Sequence, residues 1–198
     1  MFYHLSEQIT DYFETQQVID PKKRELYRYG VQQGFTILLN LMTAIAISLL
    51  CGMLLQGLLF LAAYIPLRSY AGGYHAKTPI RCYVLSAGMI LAVLLVMRFV
   101  PITDRICFII LVIASIIVLL LAPVEDQHKP LDAVEIRVYR RRTGLLWLTE
   151  LLIAVVCLVL QLREAAVCLA MTLLVMAVML VLGYWKNRIL HKRAVKEG

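Results

Sequence analysis

The chain has 198 residues, of which 61% are hydrophobic, and its formal net charge is +7. Soluble domains are about half apolar, and a core of this size cannot hide the excess. The composition therefore excludes an ordinary soluble domain and indicates a protein whose solvent is largely lipid.

The first 20 residues favour an amphipathic helix that lies on the membrane or on the bundle. Apolar residues recur there at helical spacing, and acidic residues occupy the opposite face. The apolar set is Phe2, Leu5, Ile9, Tyr12 and Phe13, and the acidic set is Glu7, Asp11 and Glu14. A cleavable signal peptide is not expected, because this segment lacks the apolar core that such signals need.

Six apolar stretches follow, and we interpret each as a membrane span. The 39 positions between Arg28 and Arg68 carry no charge, which is enough for two spans of about 20 residues joined by a turn. The second span is short and ends near Pro66. The predicted spans are near 33–50, 54–67, 83–100, 106–124, 145–162 and 165–185. The predicted fold is all-α: a polytopic membrane helix bundle forming one domain over 1–198.

The distribution of basic residues predicts the orientation, because cytoplasmic loops carry the excess of Lys and Arg. With the N-terminus inside, 17 of the 20 basic residues lie on the cytoplasmic side. A five-span arrangement would put the C-terminal cluster outside. We therefore expect a multi-pass cell-membrane protein with both termini and the 68–82 loop in the cytoplasm.

That loop contains the residues best suited to chemistry, His75 and Cys82. Seven residues rise about 10.5 Å along a straight helix, too far for a direct hydrogen bond. Thr78 is a suitable N-cap and Pro79 a preferred first helical residue, so a helix start between the two lets the chain fold back. Cys82 then lies in the first turns of span three, where the helix dipole, Arg81 and a protonated His75 favour a thiolate. Cysteine paired with histidine is suited to attack on a carbonyl.

Each loop residue also has a simpler interpretation. A single Cys near a single His is usually incidental. Gly72 and Gly73 form either a flexible turn or a close approach to a peptide, with N–H donors for an oxyanion. Arg68 either reaches the membrane edge or binds a substrate carboxylate. Ser86, one turn after Cys82, either adds polarity to the packing or supports the site.

Other reactive side chains carry weaker signals. The remaining cysteines lie in or beside apolar runs, where cysteine behaves as a small hydrophobe; they are Cys51, Cys107, Cys157 and Cys168. Their spacing indicates neither a disulfide framework nor a metal site, and no cofactor is expected. Glu150 lies just inside the fifth predicted span, where a functional role and snorkelling are equal alternatives.

The set Arg68, Gly72-Gly73-Tyr74-His75-Ala76, Cys82 and Ser86 resembles the accessory gene regulator B family. These are membrane cysteine endopeptidases of Gram-positive quorum sensing. The resemblance covers nearly the whole chain: its length, the N-terminal amphipathic helix, the spans and the loop after span four with Pro123 and Lys129-Pro130. In that loop Gln127-His128-Lys129 stands where some relatives have a denser lysine run.

The resemblance implies a function. Cys82 would attack a propeptide of the AgrD type and form an acyl-thioester, with His75 transferring the proton. A Cys or Ser of the peptide would then displace Cys82 and close a thiolactone or lactone ring. Arg68, Gly72, Gly73, Arg81, Ser86 and Lys129 would bind substrate or support the site. The third catalytic group is left open among Ser86, Gln33, Glu125 and Asp126, and a homodimer is left open too.

Two alternatives come from other classes. The first is a small transporter or peptide exporter without covalent chemistry, which the scarcity of polar residues in spans three, four and six disfavours. The second is a membrane scaffold with a regulatory redox cysteine. The bilayer is the expected surroundings in every case, and nucleic acid is not an expected partner.

Overall fold

A computed structural model describes residues 3–16, 18–20, 23–74, 76, 78–125 and 132–197, with the backbone alone at 3 and 190–197. His75, Lys77, Asp126 and Lys129 lie outside the described residues. The helices of the described part are α1 Tyr3–Thr15, α2 Arg24–Leu50, α3 Leu54–Ala71, α4 Pro79–Phe99, α5 Asp104–Leu121, α6 Ala133–Val159 and α7 Arg163–Glu197.

Six of these described helices, α2 to α7, are long and apolar enough to cross a membrane. Within the described ranges there is no strand, and the single β-type contact is a parallel bridge between Gly72 and Val124. The predicted fold class, an all-α membrane bundle with six spans, is therefore confirmed.

Helix α7 is the centre of the bundle. Of its most apolar window, 61% is buried, against 28% or less in every other span. It packs against α3, α5 and α6, while α2 packs on α4 and α3. Because the spans alternate in direction, the end of α3, the start of α4, the end of α5 and the start of α6 lie at one end of the bundle. We call this the loop end and the other the opposite end.

Several helices extend beyond the predicted spans: α2 begins at Arg24 rather than near residue 33, and α7 ends at Glu197 rather than near residue 185. Helix α3 continues through Pro66 to Ala71, and α6 begins at Ala133 rather than near residue 145. The early start of α6 has a local cause. Asp132 and Glu135 form a capping box, which satisfies two N–H groups at the helix start and allows the following basic turns to stay helical outside the apolar region.

At the opposite end, arginines hold the connections between spans. Arg98 donates to the Cys51 carbonyl at 2.8 Å, and Arg163 donates to the Ile102 carbonyl at 2.7 Å. The α2–α3 turn uses Gly52 at φ +66°. These contacts fix the short turns that bring neighbouring spans side by side.

Helix α1 packs on α2 through small polar residues. Ser6 and Thr10 are completely buried, and Arg24 at the start of α2 pairs with Asp11 and, at 3.0 Å, with Glu14. Leu5 and Tyr12, which belong to the apolar face predicted from the sequence, are exposed. Ile9 and Phe13 of the same face are half-buried, so this face is only partly directed away from the bundle, and a bilayer surface can cover its exposed part.

Candidate active site

The first turn of α4 positions Cys82. Thr78 is the N-cap, its hydroxyl accepts from the Arg81 N–H at 3.4 Å, and Pro79 occupies the first turn. The Cys82 N–H donates to the Thr78 carbonyl at 3.0 Å. The predicted helix start is thus confirmed, and it leaves the thiol of Cys82 half-buried at the positive end of the helix dipole.

Cys82 differs from the other four cysteines in its surroundings. Cys107, Cys157 and Cys168 are buried inside the bundle, and Cys51 is half-buried at the opposite end. Cys82 is therefore the accessible thiol of the loop end.

The residues that follow Cys82 hold the start of α4 in place. Ser86 donates from its hydroxyl to the Cys82 carbonyl at 3.0 Å, so its described contact is with the backbone and not with the thiol. Tyr83 and Thr43 join their hydroxyls at 2.9 Å, which ties α4 to α2 directly beside Cys82. The sequence analysis did not identify Tyr83.

The chain leaves α3 through residues 72–74, which we call the glycine loop. Gly72 and Gly73 have φ of +71° and +120°, a region that favours glycine. The Gly73 N–H donates to the Val124 carbonyl at 3.3 Å, and the Tyr74 N–H donates to the Met179 carbonyl in α7 at 2.9 Å. These N–H groups are therefore already engaged within the protein, in contrast to the expectation that the glycines supply donors for an oxyanion.

Arg68 clamps the glycine loop. Its guanidinium donates from Nη1 to the Gly72 carbonyl and from Nη2 to the Tyr74 carbonyl. The planar guanidinium suits two neighbouring acceptors, since its donors form a fixed fork. Neither interpretation of Arg68 made from the sequence, membrane-edge cation or ligand of a substrate carboxylate, includes this intramolecular role.

Basic side chains of other helices reach the same end. Arg142 in α6 donates to the Tyr70 hydroxyl at 3.0 Å, and its guanidinium carbon lies 5.0 Å from the centre of that ring. The Lys186 ammonium of α7 lies 5.5 Å from the Tyr74 ring centre, and Arg81 is exposed. Arg142 and Lys186 therefore bring positive charge to Tyr70 and Tyr74, on either side of the two glycines.

Several predicted site residues are not brought to Cys82 by any described contact. His75, Lys129 and Asp126 lie outside the described residues. Gln33 is exposed on α2, ten residues or about 15 Å along that helix from Thr43. The backbone carbonyl of Glu125 accepts from the Asn187 side chain at 2.7 Å.

Three buried polar atoms lack a hydrogen-bond partner in the described part of the chain: Asn40 Oδ1, Thr143 Oγ1 and Glu150 Oε1. Glu150 is 6% exposed and lies 17 residues after the start of α6. The sequence analysis left a functional role and snorkelling as alternatives for this residue. Its side chain points into the bundle, so it does not snorkel.

The fold and this site define a polytopic membrane protein with an accessible thiol at a helix start, eight residues after the end of a glycine loop that Arg68 holds. Residues 6–182 match the family described as Accessory gene regulator B. The chain belongs to that family.

An AgrB-like protein of Clostridium perfringens (strain SM101 / Type A) is 28% identical over 141 residues. The alignment covers 66% of this chain and 64% of that relative, so the chain spans a little under two thirds of the relative's length. No solved structure matches the chain.

Proposed function

We propose that the chain is a membrane cysteine endopeptidase that removes the C-terminal tail of a quorum-sensing propeptide. The observation that carries the proposal is the position of Cys82: it is the accessible thiol of the loop end, in the first turn of α4 and beside the loop that leads to His75. Family membership supports a role in processing of this kind.

The chemistry proceeds in two acyl transfers. The Cys82 sulfur attacks the scissile carbonyl carbon as His75 accepts the thiol proton, which gives a tetrahedral oxyanion. Collapse of this adduct breaks the C–N bond, and the leaving amine takes the proton from His75. An acyl-thioester on Cys82 and a free tail peptide remain.

Ring closure uses the energy kept in the thioester. A thiol or hydroxyl within the bound peptide attacks the thioester carbonyl, and the C–S bond to Cys82 breaks as the new ring bond forms. The attacking group's proton returns to Cys82 through His75. The product is a thiolactone or lactone, and no nucleotide is consumed.

The surroundings favour an acidic tail as the leaving peptide. Arg81, Arg142 and Lys186 lie at the loop end, and Lys129 belongs to the connection between α5 and α6. Because the glycine loop is bonded to Val124, that connection starts directly beside the catalytic segment. We also propose that this end faces the cytoplasm, which the distribution of Lys and Arg supports.

A transporter finds less support in the bundle. Several buried hydroxyls bond to their own helix or to a neighbouring one: Ser48 donates to the Ala44 carbonyl, Thr172 to the Cys168 carbonyl, and Ser115 pairs with Trp147. Such side chains are poorly placed to bind a solute along a pathway.

The test is cleavage of the propeptide encoded beside the gene, with the protein in nanodiscs and the products weighed by mass spectrometry. Cys82→Ala should abolish cleavage. Cys51→Ala is the matched control, because Cys51 is equally half-buried but lies at the opposite end, and it should keep most of the activity. Full cleavage by Cys82→Ala would remove the proposal.

A further inference from the structure

The glycine loop rests on one face of α7. The Tyr74 N–H donates to the Met179 carbonyl at 2.9 Å, and one turn later Gly183 faces the same segment. A Cβ atom placed on Gly183 would lie 2.7 Å from the Gly73 carbonyl carbon and 2.8 Å from the Tyr74 nitrogen. The backbone of the glycine loop and helix α7 are therefore in direct contact, with no room for a side chain between them.

We propose that Gly183 is a positioning residue of the catalytic site, and that α7 is the platform that sets where the His75-bearing loop lies relative to Cys82. This inference rests on the proposed function. Gly183 does not touch the reacting atoms. It allows α7 to approach the loop closely enough for the Met179 hydrogen bond to form.

The close packing is mutual. A Cβ on Gly73 would meet the Arg68 guanidinium first and would lie 3.0 Å from the Met179 carbonyl oxygen, so a side chain there would also press tightly against α7. Lys186, one turn after Gly183, lies with its ammonium 5.5 Å from the Tyr74 ring centre. Met179 and Gly183 therefore lie against both Gly73 and Tyr74, and Lys186 on the same stretch of α7 lies against Tyr74.

A methyl group at Gly183 should displace the loop rather than the helix. The clashing atoms belong to the backbone of residues 73 and 74, which cannot rotate away as a flexible side chain can. To move from 2.7 Å to the 3.4 Å at which ordinary contact begins, the loop must shift away from α7. His75 is the next residue in the chain after Tyr74, so we expect a shift of Tyr74 to misplace the imidazole as well.

Displacement of the loop can be distinguished from destabilisation of helix α7. Alanine favours a helix more than glycine does, so Gly183→Ala should not weaken α7 itself. Gly144 in α6 and Gly88 in α4 are matched controls, because a Cβ at either position meets nothing within 4 Å. A misplacement on the 1 Å scale can cost about 100-fold in rate.

The experiment measures cleavage kinetics and alkylation of Cys82 by iodoacetamide across pH, in a protein that keeps Cys82 as its single cysteine. Gly183→Ala should lower kcat by roughly 10- to 100-fold with KM little changed, and its alkylation profile should move towards that of His75→Ala. Gly144→Ala and Gly88→Ala should behave as the parent does. Unchanged kcat and an unchanged profile in Gly183→Ala would overturn the inference.

A milder variant covers the case in which Gly183→Ala does not insert. Lys186→Leu removes the cation from the Tyr74 ring and should lower kcat about two- to five-fold, whereas Arg188→Leu makes the same charge change without a described contact to the loop. An equal kcat for Lys186→Leu and Arg188→Leu would also contradict the proposal that α7 positions the loop. Activity that persists in both Cys82→Ala and His75→Ala would instead refute the proposed function, whatever Gly183→Ala shows.

Discussion

Substitution of Arg68 can distinguish two roles for this residue, ordering of the glycine loop and binding of a substrate carboxylate. Its guanidinium donates to the carbonyls of Gly72 and Tyr74, so its removal should release the glycine loop. Arg68→Lys keeps the charge but presents a compact ammonium in place of a rigid fork. We expect the lysine variant to keep one of the two hydrogen bonds, and Arg68→Ala to keep neither.

The magnitude follows from the hydrogen bonds lost. A bond from a charged donor contributes about 1.5–3 kcal/mol, which corresponds to a factor of roughly 10 to 150. If the loop must be ordered for reaction, kcat falls with the ordered fraction. Arg68→Lys should therefore lose at most about this factor in kcat, and Arg68→Ala should lose more. KM should change little in either variant.

The assay is steady-state cleavage in nanodiscs of two propeptides, one with its native acidic tail and one with a neutral tail. If Arg68 acts as a clamp, the loss in kcat is the same for both peptides. Melting temperature and yield serve as controls for folding. A rise in KM that occurs with the native tail and disappears with the neutral tail would refute the clamp and assign Arg68 to the substrate carboxylate.

Three further predictions concern orientation, substrate charge and the buried acid. A cysteine introduced at Lys196 should resist an impermeant thiol reagent in intact cells, whereas one at Leu160, exposed at the opposite end, should react; labelling of position 196 would reject the proposed sidedness. KM for the native propeptide should rise with salt, because salt screens ion pairs between the acidic tail and the basic loop end over about 10 Å at 0.1 M. Neutralising the tail should raise KM as well, by an amount that reflects several exposed ion pairs of about 0–1 kcal/mol each. A KM insensitive to both would mean that the basic residues set topology alone. Glu150→Gln should cleave the propeptide as the parent does and should melt in detergent at an equal or higher temperature. The reason is that the carboxyl is buried with an unpaired oxygen, and such burial is costly. A large loss of cleavage would instead assign the carboxyl a role in the reaction.

Hydropathy and local signals predicted much of this molecule. The six spans follow from uncharged apolar runs, because a bilayer imposes a minimum apolar length. The start of α4 follows from Thr78 and Pro79, since capping depends on neighbours in the chain. Cys82 stands out for the same reason: it follows that helix start, while the other cysteines lie in or beside apolar runs.

Helix ends were less predictable where they leave the membrane. The α6 segment from Ala133 onwards is polar, so hydropathy did not assign it to the helix, although a capping box begins it. The burial of Glu150 was not predictable from hydropathy either, because it depends on how α6 packs against α7 and α3.

The sequence by itself determined the spans, the helix that carries Cys82 and the loop that carries His75, because each depends on residues adjacent in the chain. Only the tertiary structure decided what holds that loop. Met179 and Gly183 lie more than 100 positions after Tyr74. Their contact with it requires that no side chain separates the backbone of α7 from the backbone of the loop. A glycine within an apolar helix carries no local sign of what it faces. Its partner is set by how α3, α5 and α7 pack together, since close backbone contact needs small residues on both sides.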